Sequence, residues 1–150
     1  MSEPLKLVYT DTFEHAFDEK GRLTVPKEWR GDGFETRLYI APPDPDAAKP
    51  CLSVYPGSWL ASKLQQIETY PIGDVRRKKF ESMAPLIQSV EMDQQNRISI
   101  KDKLRLQAGL KKNAVLVGRF GHFEIWDPEQ RKSDADASLS LETILKEAGL

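Results

Sequence analysis

One pattern of residues occurs twice in this chain. Residues 16–30 and 91–105 align without a gap at a shift of 75 positions (18 to 93). The aligned pairs include charged and apolar positions alike: Asp18 with Asp93, Arg22 with Arg97, Arg30 with Arg105, Phe17 with Met92, Leu23 with Ile98, Val25 with Ile100 and Trp29 with Leu104. A second match joins residues 52–55 to residues 123–126 at a shift of 71 (52 to 123), which a longer loop in the first copy would produce. A small β unit present twice predicts a pseudo-symmetric domain whose halves present the same residues outward.

The length and composition are those of an ordinary globular protein. A chain of 150 residues fits one compact domain or two small fused halves that share a core. No apolar run approaches the roughly 18 residues of a membrane helix, and the N-terminal residues lack the apolar core of a signal peptide. The single Cys51 excludes an internal disulfide. Together these features predict a cytoplasmic protein.

The charge is balanced overall but unevenly distributed. The net charge is −1, yet residues 97–112 hold six basic residues against one acid. Residues 76–79 form a second basic cluster, and residues 127–147 hold six acids against three bases. Such runs are usually no more than solvated faces. Only their combination with the repeat favours a binding surface.

Each copy of the repeat is predicted to contain a tight turn between two strands. In the first copy the strands are residues 13–17 and 22–25, and the turn is residues 18–21. Gly21 can supply the positive φ that this turn needs, and Asn96, its equivalent, is the residue type that best tolerates that φ after glycine. Because side chains alternate along a strand, Leu23 and Val25 point inward while Arg22 points outward. The second copy repeats this arrangement around Arg97.

The remaining segments are assigned from periodicity and from capping and turn residues. We predict a short helix over 26–30, strands over 36–40, 52–55, 114–118 and 122–126, a helix over 58–69 capped by Ser58, a helix from Asp74 through Met83, a helix over 102–108, a polar and flexible segment over 130–138, and a terminal helix over 139–148. Residues 41–50 hold four prolines and form a loop. Trp59 and Trp126 are expected in the core.

The sequence offers no catalytic constellation. It has no nucleophile elbow, no phosphate-binding glycine loop and no Cys/His set with metal-ligand spacing. His15 and His122 lie in predicted strands far apart in the sequence, and a surface or packing role is the better interpretation of each. We therefore expect no enzyme activity, no cofactor and no metal.

These motifs resemble those of a known family, the MraZ transcriptional regulators of bacterial division and cell-wall gene clusters, within the SpoVT/AbrB-like superfamily. The segments that carry the resemblance are DEKGRLTVP at 18–26, CLSVYP at 51–56, VEMDQQNRISI at 90–100, LRLQAGL at 104–110 and VLVGRFGHFEIWD at 115–127. The resemblance implies an α+β, β-rich fold, a double-split β-barrel built from two tandem SpoVT/AbrB-like halves. The halves would span 12–58 and 85–128, with a helical linker over 59–84 and a polar tail with a short helix over 129–150.

The resemblance also implies a function. It predicts a repressor that binds double-stranded DNA through the two Asp-x-x-x-Arg turns and reads short direct repeats in the promoter of its own operon, as a ring-like homo-oligomer associated with the nucleoid. No membrane or small-molecule partner is expected. The predicted DNA-binding residues are Lys20, Arg22 and Arg97, and the residues that shape the turns or orient the arginines are Asp18, Gly21, Asp93 and Asn96.

Elementary chemistry agrees with these roles. Arginine makes bidentate contacts to guanine and to phosphate. An aspartate four residues earlier can accept turn amide hydrogens and hold the arginine by a salt bridge. Lys20 suits a phosphate contact, but its counterpart is the neutral Gln95, so the two turns are not expected to bind equally. The family's usual glycine is replaced by Asn96, and a common proline by Lys101.

Three other interpretations remain open at the level of sequence. The Asp–Arg pairs could be ordinary surface ion pairs, each contributing at most about 1 kcal/mol. The chain could be an antitoxin-like or assembly module that uses the same barrel for protein–protein contacts. An enzyme would need an unrecognised Asp/Arg/His site. The spacing itself is weak evidence, since Asp127 and Arg131 repeat it without the apolar alternation.

Overall fold

The computed structural model describes residues 8–132 and 140–150. Eight strands and five α-helices lie in these residues. The strands are β1 Thr12–Ala16, β2 Arg22–Thr24, β3 Arg37–Ala41, β4 Leu52–Pro56, β5 Gln88–Glu91, β6 Arg97–Ser99, β7 Asn113–Gly118 and β8 Phe123–Trp126. The helices are α1 Gly57–Ile67, α2 Val75–Glu81, α3 Asp102–Gln107, α4 Pro128–Lys132 and α5 Leu141–Glu147, and 3₁₀ turns cover Lys27–Trp29 and Ala84–Leu86. None of these helices is long and apolar enough to cross a membrane.

The strands form two antiparallel sheets. The larger has the order β1-β7-β8-β4-β3-β5, and the smaller is the pair β2–β6. Within residues 8–132 the edge strands of the larger sheet are β1 and β5, and these two strands do not pair with each other. The α+β class is therefore confirmed, while a closed double-split barrel stays a prediction.

The two copies of the repeat exchange strands. β1 of the first copy pairs with β7 of the second, and β5 of the second pairs with β3 of the first. The predicted strands flanking each tight turn therefore pair with the other copy and not with one another. Both halves complete their sheets only together, so neither could bury its apolar face alone. The proposed domain limits remain a prediction.

The register of the strand pairs agrees with the two shifts, 75 and 71 positions, that relate the copies of the repeat in the sequence. Leu23 lies opposite Ile98, the residue aligned with it at a shift of 75. In the central pair β4–β8, Ser53 lies opposite Glu124, the residue aligned with it at a shift of 71. A pseudo-two-fold axis therefore passes through both pairs, one in each sheet.

The core lies between the two sheets, and alternation along the strands explains its composition. The inward side chains Leu23, Ile98, Leu52 and Phe123 are fully buried. The core contains an aromatic cluster: the ring centroids of Tyr9 and Trp29 are 5.3 Å apart, and those of Trp29 and Phe123 are 4.9 Å apart. Trp29, which the internal alignment matches to Leu104, also donates its indole N–H to the Thr10 carbonyl at 2.6 Å.

Two helix starts show how capping differs from the predictions. Ser58 does not cap α1, because that helix begins one residue earlier at Gly57. Instead the Ser58 N–H donates to Glu35 Oε1 at 2.9 Å, so a residue from a distant loop satisfies the helix terminus. The predicted Asp74 cap is confirmed, since its carboxylate accepts from the Arg76 N–H at 2.8 Å. Hydrogen bonds from the Arg76 side chain lower the pKa of Asp74 to about 2.

Other predictions are corrected in part. Trp126 is buried, but Trp59 is only half-buried and stacks on Tyr55 with centroids 4.3 Å apart. Residues 128–132 form α4, so the first part of the segment predicted to be flexible is helical. The rest of that segment, and the first residue of the predicted terminal helix, lie outside the described residues.

Candidate nucleic-acid interface

The β2–β6 pair, which we call the ribbon, presents the predicted site. Its inward face is Leu23 and Ile98, both buried. The neighbouring positions on the outward face are Arg22, Thr24, Arg97 and Ser99, of which Arg22 lies opposite Ser99 and Thr24 opposite Arg97. Both predicted arginines are thus outward on one short antiparallel pair, each directly after its turn.

In the first turn Asp18 organises the backbone and the arginine at once. Its Oδ1 accepts hydrogen bonds from the N–H groups of Lys20 and Arg22, each at 2.9 Å. Its Oδ2 accepts from Arg22 Nε at 2.6 Å. The Asp18 N–H donates to the Arg22 carbonyl at 2.9 Å, which closes the turn. Asp18 therefore holds the Arg22 guanidinium through its Nε atom.

The second turn reproduces this arrangement. Asp93 Oδ1 accepts from the N–H groups of Gln95 and Arg97 at 2.9 Å, and Oδ2 accepts from Arg97 Nε at 3.0 Å. Gly21 has φ +75° and Asn96 has φ +63°, which confirms the predicted left-handed conformation at both positions. The side chain changes between copies, but the backbone path does not.

The two turns are joined to each other as well. Val25 N–H donates to the Asn96 carbonyl at 2.9 Å, and Ile100 N–H donates to the Gly21 carbonyl at 3.1 Å. Arg97 Nη1 also lies 3.6 Å from Asp18 Oδ2, so one aspartate contacts both arginines. The arginines are therefore held on a single frame rather than on two independent loops.

Both turn aspartates have a depressed pKa. For Asp18 the main cause is the hydrogen bond from the Arg22 backbone N–H, and for Asp93 it is that from the Arg97 backbone N–H. Each arginine side chain and a second turn amide lower these pKa values further. The carboxylates consequently stay ionised well below neutral pH and keep holding the arginines.

A second pair of arginines donates hydrogen bonds to backbone carbonyls next to the ribbon strands. Arg30 Nε donates to the Val25 carbonyl and Arg105 Nε donates to the Ile100 carbonyl, both at 3.1 Å. The internal alignment matches these two arginines, but the sequence gives them no role. Each one binds the carbonyl of the residue that directly follows a ribbon strand. The carbonyls that accept these bonds could not be identified without the structure.

The charges that surround the ribbon differ between the two turns. Lys20 is exposed beside Arg22, whereas the exposed Gln95 occupies the same place beside Arg97. Lys101 is exposed just after β6. The ribbon thus presents two restrained guanidinium groups and exposed lysines, an arrangement able to bind an extended anionic polymer. No group of three or more His, Cys, Asp or Glu side chains in the described residues could hold a metal ion.

The third Asp-x-x-x-Arg match has a different structure. Asp127 is buried and accepts from the Glu129 N–H at 3.2 Å, so it caps α4. Arg131 lies over the Trp126 ring, 5.8 Å from its centroid. The spacing alone therefore does not specify the turn; the alternating apolar residues that follow it do. The basic cluster at 76–79 lies on α2 and is not part of the ribbon.

Comparison with known proteins identifies the family. A family model described as "MraZ protein, putative antitoxin-like" matches residues 87–148. A Thermomicrobium roseum protein named Transcriptional regulator MraZ is 31% identical over 134 residues, which are 86% of this chain and 88% of that protein. A Salmonella paratyphi A protein of the same name is 34% identical over 137 residues, covering 87% and 89%. These relatives carry the name of a class of transcriptional regulators. The chain belongs to the MraZ family, as its motifs predicted.

Proposed function

We propose that this protein is a DNA-binding transcriptional regulator, acting as a repressor, that contacts promoter DNA through the ribbon. The observation that carries the proposal is the pair of Asp-x-x-x-Arg turns, which share one hydrogen-bonding pattern and are locked side by side. In both turns the aspartate that shapes the backbone also holds an arginine on the outward face of the ribbon. The names of the relatives support the regulatory part of the proposal.

The dimensions and chemistry of the ribbon suit the major groove of DNA. That groove is about 12 Å wide and admits a two-stranded antiparallel ribbon. Arginine binds guanine through two parallel hydrogen bonds to O6 and N7. Because Asp18 and Asp93 hold the Nε atoms of Arg22 and Arg97, little side-chain freedom remains to be lost on binding. In this proposal Lys20 contacts a DNA phosphate. The neutral Gln95 occupies the equivalent place in the second turn, so the second turn contacts phosphate more weakly.

We also propose that several copies bind together. The net charge of −1 and one ribbon per chain leave little attraction for an isolated copy. Copies joined in a ring-like homo-oligomer would meet successive direct repeats at high effective concentration. By resemblance, the target is the promoter of a bacterial division and cell-wall gene cluster that includes the protein's own operon. The double-split barrel and nucleoid association belong to the same proposal.

A second candidate is an antitoxin-like module in which the same fold binds a protein. It is favoured by one observation, the description of the family model that matches residues 87–148. In that case the arginines would serve a protein interface, and their replacement would not change DNA binding. Measurements of DNA binding separate the two candidates.

The first experiment measures binding to promoter DNA by Arg22→Ala and Arg97→Ala variants. Losing a bidentate base contact costs roughly 1–3 kcal/mol, or about 5- to 150-fold in affinity per binding copy. Arg37→Ala is the matched control, because it removes the same charge from an exposed pair in which Arg37 Nε lies 3.1 Å from Glu91. Far-ultraviolet circular dichroism checks the fold. If both ribbon variants bound DNA as the parent and the control do, the ribbon would not be the interface.

The second experiment varies the number of direct repeats. Affinity should fall steeply from three repeats to one, by more than the number of available sites accounts for, and should fall with added salt because many phosphate contacts form together. Sedimentation of the free protein gives its state of assembly in the same buffer. A monomer that bound one repeat as tightly as three would refute the cooperative part of the proposal.

A further inference from the structure

The two turns of the ribbon carry different residues at one equivalent place. Glu19 and Gln94 each follow the turn aspartate directly and lie 75 positions apart, which is the shift that relates the two copies. The turns around them close in the same way, because a backbone N–H three residues after each aspartate donates to the aspartate carbonyl, at 3.1 Å in the first turn and 3.0 Å in the second. One backbone shape therefore carries a carboxylate in the first turn and an amide in the second.

Both of these side chains are available to a partner. Glu19 and Gln94 are exposed, and neither side chain makes a hydrogen bond or an ion pair within the part of the chain that the structure describes. The turn aspartates, in contrast, accept hydrogen bonds through both carboxylate oxygens. The residue after each aspartate thus has its polar groups free for a molecule outside the chain.

The two turns lie at opposite ends of the ribbon. Strands β2 and β6 are antiparallel, and each begins directly after its own turn. Two positions separate Arg22 from Thr24, which lies opposite Arg97. That separation is about 7 Å along a strand, the length of about two base-pair steps of DNA. A ribbon in the major groove would therefore bring its two turns to different base pairs.

The major groove offers different partners to a carboxylate and to an amide. A carboxylate only accepts hydrogen bonds, and the group suited to it is the N4 amino group of cytosine. Adenine also has an amino group, N6, but the acceptor N7 beside it disfavours a carboxylate. A glutamine amide both donates and accepts, so it pairs with N6 and N7 of adenine through two hydrogen bonds. DNA phosphates repel a carboxylate, so Glu19 is unsuited to a backbone contact.

We propose that Glu19 and Gln94 give the two ends of the ribbon different base preferences. Glu19 selects a cytosine and Gln94 selects an adenine, each next to a guanine that a ribbon arginine binds. The site bound by one copy is then asymmetric although the backbone of the ribbon is nearly symmetric, so one direction of binding is favoured. This deepens the function proposed above and rests on the ribbon being the DNA interface.

The test uses two isosteric substitutions that make the turns alike. Gln94→Glu gives both turns a carboxylate, and Glu19→Gln gives both an amide. Each base pair of the promoter repeat is replaced in turn, in every repeat of a three-repeat DNA, and competition binding gives the affinity of the parent and of both variants for each DNA. In Gln94→Glu the preference for A·T at one base pair should fall by about 5- to 150-fold per binding copy, the range for one bidentate base contact, and a preference for C·G should replace it. Glu19→Gln should produce the converse change at a different base pair.

Two further Gln→Glu variants are matched controls. Gln95→Glu makes the same change one residue later, where a phosphate contact is proposed. It should therefore weaken binding to all of the DNAs alike and leave the base preferences unchanged. Gln65→Glu makes the change at an exposed position of α1, outside the ribbon, and should alter neither the affinity nor the preferences.

The outcomes separate this inference from the function on which it rests. Unchanged base preferences in Gln94→Glu or in Glu19→Gln would overturn the assignment of that residue, and so would a uniform loss of affinity like that expected of Gln95→Glu. The ribbon would still be the interface in that case if Arg22→Ala weakened binding. If Arg22→Ala and Arg97→Ala both bound DNA as the parent does, the interface and the base preferences assigned to it would be wrong together.

Discussion

Replacement of Gly21 by alanine should destabilise the protein more than the backbone conformation alone requires. Gly21 has φ +75°, and a Cβ placed there would lie 2.7 Å from Arg105 Nη2 and 2.9 Å from Arg105 Cζ. The side chain of Arg105 would have to move, and its hydrogen bond to the Ile100 carbonyl at 3.1 Å would be lost or strained. Two separate penalties therefore apply at one position.

The magnitudes of the two penalties can be worked out separately. A non-glycine residue in the left-handed region costs roughly 1–2 kcal/mol. Loss of one hydrogen bond adds about 0.5–1.5 kcal/mol. Gly21→Ala should thus lower the free energy of unfolding by about 1.5–3.5 kcal/mol, and the β-branched Gly21→Val by more. The comparison variant is Gly109→Ala, since Gly109 has φ +66° and a Cβ there would meet nothing within 4 Å, so it should show the first penalty only.

Urea denaturation at one fixed protein concentration measures these differences, because self-association changes apparent stability. A double-mutant cycle with Arg105→Ala isolates the steric part: without the guanidinium, Gly21→Ala should cost no more than Gly109→Ala. Asn96→Gly should change stability little, since Asn96 already occupies the left-handed region at φ +63°. If Gly21→Ala and Gly109→Ala differed by less than about 0.5 kcal/mol, the argument from Arg105 would be wrong.

Three further results are expected. The pKa of Asp93 is lowered below its ordinary 3.8, so ionised Asp93 stabilises the fold at any pH above its unfolded-state pKa, and this stabilisation is lost as the pH falls through its folded-state pKa. Asp93→Asn should therefore make the free energy of unfolding depend less on pH in acid. An unchanged pH dependence would contradict this expectation. Gly118→Ala should cost about 1–3 kcal/mol, because its Cβ would lie 2.6 Å from the Tyr9 backbone, whereas Gly73→Ala, in open space, should not. Trp29→Ala should cost about 3–5 kcal/mol in denaturant unfolding, and a loss below about 1 kcal/mol would refute its central place in the core.

The local parts of the site could be read from the sequence. A turn needs a residue that tolerates positive φ and an aspartate that can bind the amides two and four residues later, and both signals are local. Gly21, Asn96, Asp18 and Asp93 accordingly lie in the turns where these signals predict them. The inward position of Leu23 followed from alternation along the strand.

The pairing of strands could not be read in the same way. The exchange that places β1 beside β7 and β5 beside β3 joins residues that lie between 48 (40 to 88) and 105 (12 to 117) positions apart in the sequence. The alternation pattern of β1 fits any partner strand. The same holds for Glu35, which satisfies the start of α1 from a separate loop, because no local pattern links it to Ser58. When two contacting residues are far apart in the sequence, only the structure identifies them as partners.

The ribbon side of the molecule is nearly symmetric and the helical side is not. This difference affects how several copies could bind DNA together. Around the pseudo-two-fold axis the ribbon is nearly symmetric in backbone and in its Asp–Arg pairs. The turns differ only in the three residues between aspartate and arginine, which are Glu-Lys-Gly in the first turn and Gln-Gln-Asn in the second. The helical side is not symmetric, since 11-residue α1 follows β4 where 5-residue α4 follows β8. A symmetric dimer would place two ribbons in opposite directions and favour a palindrome. A head-to-tail arrangement of copies would instead place successive ribbons in the same direction, which matches the direct repeats that we propose as the target.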